Sequence, residues 1–137
     1  MWENYRGVAA HYRKLSLAEE RAIIVHAKAG KRSARDELVL RHIGFIMWRL
    51  SRKVYRQYLE RHGDDLLSAA ILTLYQKIRS YDLNYRDRGG ALKPVRFKSY
   101  IWKRIDGLAI DHIKREIRAG VSFEEQRHGF APNRHPE

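Results

Sequence analysis

The sequence predicts an all-α fold, a helical bundle of about four main helices, and three observations lead there. Apolar residues return at three- and four-residue steps through three long windows, the spacing that lines one face of a helix. No stretch alternates apolar and polar residues at the two-residue period of a strand. Capping residues and glycines punctuate the windows. The chain has 137 residues, 44% apolar and 32% charged, enough for one domain with a core and a wet surface.

Residues 1–14 are basic and aromatic without sustained periodicity and read as a flexible arm. The domain is then expected over residues 15–120. Ser16 followed by Glu19 is a capping-box pattern, in which hydroxyl and carboxylate satisfy free backbone amides at a helix start. That helix should reach Ala29, with Gly30 as the left-handed stop. Ser33 opens a second helix, on which Val39, Ile43, Ile46, Leu50 and Val54 form one stripe, so a single long helix to about residue 58 is expected.

Gly63 and Asp64 read as a break and a fresh cap before DLLSAAILTLYQKIRSYD. On that helix Leu67, Ala70, Ile71, Leu74, Ile78 and Tyr81 share a sector, while Asp65, Ala69, Leu72, Gln76 and Arg79 lie opposite. The second face is a docking surface or a solvated face carrying one leucine. Residues 82–96 hold a glycine pair and a proline and form a long loop. A last helix over 96–118 puts Phe97, Ile101, Ile105, Leu108 and His112 on its core side and is stopped by Gly120. The tail, 121–137, is polar and expected to be disordered.

Lys and Arg number 28 against 16 acids, a formal charge of +12 that favours a polyanion and nucleic acid first. Residues 77–118 alone hold twelve basic and five acidic residues. On the last helix Arg96, Tyr100, Lys103, Gly107 and Lys114 share a sector away from the apolar stripe. Cations neutralise phosphates and rings offer faces to unstacked bases, so this mixture suits single-stranded or melted nucleic acid. Trp102, Tyr81 and Tyr85 are additional stacking candidates.

Other chemistry is poorly served. Without cysteine there is neither a disulfide framework nor a thiolate metal site, and the composition suits a reducing cytoplasm. No apolar run reaches the roughly 18–20 residues of a membrane span, and the polar N-terminus does not resemble a signal peptide, so a cytoplasmic protein with no membrane partner is expected. Gly30, Lys31 and Ser33 fall short of a phosphate-binding loop, because Arg32 intervenes and Val25 replaces the earlier glycine. The seven histidines are scattered without a metal-binding motif, so no metal, cofactor or catalytic group is expected. Helix capping accounts for at least one of Asp64 and Asp65 without catalysis.

Taken together, residues 15–118 resemble the second conserved region, with its preceding segment, of bacterial RNA polymerase sigma factors. LSLAEERAIIVHAKAGKRSARDELVLRHIGFIMWRLSRK is similar to the family's opening helices. DLLSAAILTLYQKIRSYD resembles the helix that grips the clamp coiled coil of the polymerase's largest subunit, ending in Tyr81 and Asp82. FKSYIWKRIDGLAIDHIKRE resembles the promoter-melting helix, closest to alternative sigma factors with an R-I-x-G pattern, here Arg104, Ile105 and Gly107.

The resemblance implies a transcription initiation factor, not an enzyme, that binds core RNA polymerase through Asp65, Ala69, Leu72 and Gln76. Arg96, Lys103, Arg104, Lys114 and Arg115 would hold promoter phosphates, while Tyr81, Tyr100 and Trp102 receive bases of the −10 non-template strand. Lys103 and Arg104 stand where primary factors carry a tryptophan pair. The sequence to Glu137 leaves no room for a −35-reading domain, so a second protein is expected to supply that function. The alternatives are a sigma mimic or anti-sigma-type regulator on the clamp, and a nucleic-acid-binding module unrelated to polymerase.

Overall fold

A computed structural model describes residues 1–119. Six helices follow one another: α1 (Glu3–His11), α2 (Leu17–Lys28), α3 (Arg32–Arg41), α4 (Ile43–Lys53), α5 (Arg56–Ser80) and α6 (Phe97–Arg118). The expected all-α architecture is present, with more helices than the sequence suggests. The Gly120 stop and the 121–137 tail lie outside the described residues.

The arm is the first correction. Residues 3–11 form α1, which packs on α3 and α4, and the preceding Trp2 is 4% exposed. Its indole Nε1 donates to the Gly63 carbonyl at 2.9 Å, and its own backbone sits in the left-handed region at φ 63°. Gly63 is therefore not a break. It lies inside the continuous helix α5, where a Cβ would stand 2.9 Å from Met1 Sδ and 3.3 Å from Trp2 Nε1. The missing side chain is the notch that admits the N-terminus. Propensity alone makes a helical glycine costly by about 1 kcal/mol, and the Trp2 contact offsets it.

α2 begins as expected. Ser16 Oγ accepts the Glu19 N–H at 3.1 Å and the Glu19 carboxylate accepts the Ser16 N–H at 2.9 Å. Arg13 also donates to Glu19, and these bonds hold its carboxyl at about 2. Gly30, at φ +96°, ends the α2 turn. The long second helix is corrected into two: the chain bends at His42, whose Nδ1 donates to the Leu38 carbonyl at 2.7 Å. Ser33 does not cap α3, whose N-cap is Lys31. The stripe itself survives the bend, with Val39, Ile43, Ile46, Leu50 and Val54 all buried.

α5 and α6 form the centre and run antiparallel: Tyr58 meets His112 near one end, and Ser80 meets Tyr100 near the other. Leu66, Leu67, Ala70, Leu74 and Ile78 of α5 pack with Phe97, Ile101, Ile105 and Ala109 of α6, all at most 1% exposed. The expected core face of α5 is thus right except that Ile71 is only half-buried. On α6 it is Ile113 that is buried, and His112 sits beside it half-exposed.

The loop between α5 and α6 contains a small antiparallel bridge, Arg86 to Leu92, with Gly90 at φ +83°. α2 and the residues just before it tie its two ends. Arg21 donates to the Leu83 carbonyl at 3.0 Å, and Arg96 donates to the Leu15 carbonyl at 2.6 Å.

Candidate functional site

α6 meets the requirement for a two-faced helix. Its apolar stripe is buried, while Lys103, Arg104, Lys114 and Arg115 are exposed on the remaining surface. Trp102 is half-buried at the seam with α4. The Arg49 guanidinium lies 4.8 Å from its ring centre and the Lys103 ammonium 5.6 Å, distances at which a cation is drawn to an aromatic face.

Arg49 is itself 7% exposed and paired with Asp106 by two hydrogen bonds, 2.8 and 2.6 Å long. That bond to the carboxylate raises its already high pKa. The charge of Arg49 is thus answered inside the protein, where it packs against the Trp102 ring, whereas Lys103 and Arg104 beside it in sequence are open to solvent.

α4 carries an exposed aromatic that the sequence reading missed. Trp48 is 51% exposed, with the Arg52 guanidinium 5.2 Å from its ring centre and Phe45 at 6.0 Å. A signal was present: Trp48 stands two residues from both Ile46 and Leu50 and so falls off their stripe, beside Arg49 and Arg52. An exposed tryptophan next to cations is a feature of nucleic-acid and protein interfaces alike.

The tyrosines divide. Tyr100 is half-buried; its hydroxyl is 2.7 Å from Ser80 Oγ and the Lys77 ammonium lies 5.2 Å from its ring centre. Tyr81 is 3% exposed, packs edge-on against Tyr100 at 5.4 Å, and donates its hydroxyl to the Val95 carbonyl. Burial raises its pKa. The expectation that Tyr81 stacks on a base is therefore corrected: it falls on the core sector of α5, and its polar tip is already satisfied. Tyr85 is exposed on the loop.

Arg96 is corrected as well. It is the N-cap of α6 and turns back towards the start of α2, with Glu20 at 3.9 Å, so it does not join Lys103 and Arg104. It rims a cleft of 130 Å³ with Arg13, Lys14, Arg41 and Lys98. Arg13 and Arg41 are paired there with Glu19 and Glu37.

The face of α5 opposite the core is partly open. Asp65 and Gln76 are exposed, Ala69 is half-buried and Leu72 is 65% exposed, the most exposed large apolar residue of the described chain.

Finally, folding gathers histidines that the sequence scatters. His62 of α5 and His112 and Glu116 of α6 each bring one ligand atom within 4.8 Å of the others. The Tyr58 hydroxyl is 2.7 Å from His112 Nδ1. Burial, with the facing His62, holds His112 below the usual imidazole range, and burial pushes Tyr58 up to about 12. The sequence carries no metal-binding motif for this cluster, because contact across two helices leaves none in either one.

Comparison of the chain with protein-family models, with curated proteins and with solved structures gives no match.

Proposed function

We propose that the chain is a sigma-like transcription initiation factor that binds core RNA polymerase through α5 and engages the promoter −10 element through α6. The observation that carries this reading is the division of α6. Its apolar stripe is buried in the core, while Lys103, Arg104, Lys114 and Arg115 are exposed along the helix, with the Lys103 ammonium 5.6 Å from the ring centre of the half-buried Trp102. Exposed cations displace counterions from phosphates, and a ring held by neighbouring side chains can receive an unstacked base without first being ordered. Such stacking is worth roughly 1–3 kcal/mol per base.

Docking on the clamp coiled coil of the largest subunit would use Leu72 as an apolar anchor and Asp65 and Gln76 as polar contacts around it. The chemistry belongs to the polymerase, so the reading calls for no catalytic group or cofactor in this chain. The site of action would be the cytoplasm. No helix among the described residues is long and apolar enough to cross a membrane.

A second reading, a mimic that occupies the clamp without opening DNA, is favoured by the burial of Tyr81, which removes one of three expected stacking rings. Co-purification with core polymerase tests the docking face that both readings share. Asp65→Ala and Leu72→Ala should each weaken it while the chain stays helical. If both variants bind like the parent, α5 is not the docking helix.

A further inference from the structure

We propose that His62, His112 and Glu116 form a binding site for a divalent cation of the zinc class, clasping α5 to α6. His112 and Glu116 are four residues apart on α6 and so share a face, and α5 supplies His62 opposite them. His62 Nε2 and Glu116 Oε2 are 3.9 Å apart, too far for a hydrogen bond. Around a tetrahedral zinc with ligand bonds of about 2.1 Å, neighbouring ligand atoms stand about 3.4 Å apart. Starting from a spread of at most 4.8 Å, closure needs side-chain movement on the order of 1 Å.

The surroundings fit a metal site. Tyr58 Oη lies 2.7 Å from His112 Nδ1 and holds the ring in place beside the cluster. The His62 ring packs on Tyr58 with centroids 4.5 Å apart, which limits its rotation. All three ligands are partly exposed, so an ion can enter and water can complete the coordination. Two imidazoles and one carboxylate favour zinc and its transition-metal neighbours over magnesium or calcium, which prefer all-oxygen sites. Only the folded chain assembles the three, so binding would stabilise the bundle by mass action.

The test is titration of the chelator-treated full chain with zinc by calorimetry and with cobalt by visible absorption. One-to-one uptake is expected, with the intense visible bands of low-coordinate cobalt and a rise in melting temperature. Magnesium should produce neither. His62→Gln and Glu116→Gln should each weaken zinc binding by more than about tenfold, and Tyr58→Phe by about ten- to a hundredfold. His26→Gln, an exposed histidine outside the cluster, should leave binding intact. Absence of saturable uptake overturns the proposal. So does parent-like binding by both His62→Gln and Glu116→Gln in variants whose circular dichroism matches the parent.

Discussion

The Glu20 carboxylate of α2 accepts the backbone N–H of Phe97, the first residue of α6, at 2.9 Å. The α6 N-cap, Arg96, offers no side-chain acceptor of its own, so a helix 77 residues earlier in the chain satisfies one of its free amides. The same carboxylate lies 3.7 Å from His42 Nε2 and is buried between α2, α3 and α6. A negative charge at the positive end of α6 fits the helix dipole. Glu20→Ala should cost about 1–3 kcal/mol, because Phe97 loses its acceptor in a dry site. Urea unfolding should show a lower midpoint with an unchanged slope.

His42 should give stability a pH dependence. Burial lowers its folded pKa below the ordinary 6.5; Lys98 and Arg41 act in the same direction, and Glu20 and the Leu38 carbonyl oppose them. The unfolded chain then takes up the proton first. Stability is full above about pH 6.5 and falls as the pH drops below it. The melting temperature of the parent should decline over that interval, and His42→Asn should flatten the decline. An identical decline in both would exclude His42 as its source.

Trp2 should behave as a core residue despite its position in the chain. Trp2→Ala is expected to cost about 3–5 kcal/mol, the range for deleting a large buried aromatic. Gly63→Ala should weaken the same contact by pressing on Met1 and Trp2. Thermal unfolding of the two variants checks both. A parent-like melting temperature for Trp2→Ala would mean that the N-terminus does not dock.

The α6 surface and the core beneath it should separate by substitution. Tyr81→Ala should lower stability by about 3–5 kcal/mol. Lys103→Ala and Arg104→Ala should stay within about 0.5 kcal/mol of the parent. Each of these two should reduce the salt slope of single-stranded DNA binding by about one phosphate contact. Trp102→Ala should cost binding roughly 1–3 kcal/mol. Filter binding over a salt series, paired with unfolding curves, distinguishes the two groups.

Local signals in the sequence led directly to local structure. Ser16 and Glu19 form their capping box, Gly30 takes the left-handed turn, and the stripes on α4, α5 and α6 are buried. Long-range partners were illegible. A three- and four-residue rhythm continues across His42, so it does not register the bend there. Gly63 looks like a helix breaker until Trp2, distant in sequence, fills its notch. The exposed cations of α6 could be read from periodicity, whereas the burial of Tyr81 depends on Val95 and Tyr100 closing over it. The His62, His112 and Glu116 cluster exists only once α5 and α6 pair.

The most direct measurement is run-off transcription by purified core RNA polymerase on duplex promoter templates bearing a −10 element, with and without this chain, alongside permanganate footprinting of the non-template strand. A sigma-like factor predicts chain-dependent initiation at one position and reactive thymines at the −10 element, with both signals reduced by Leu72→Ala and Trp102→Ala. Unchanged transcription and an unreactive strand, under conditions where the chain is folded and in excess, would contradict it.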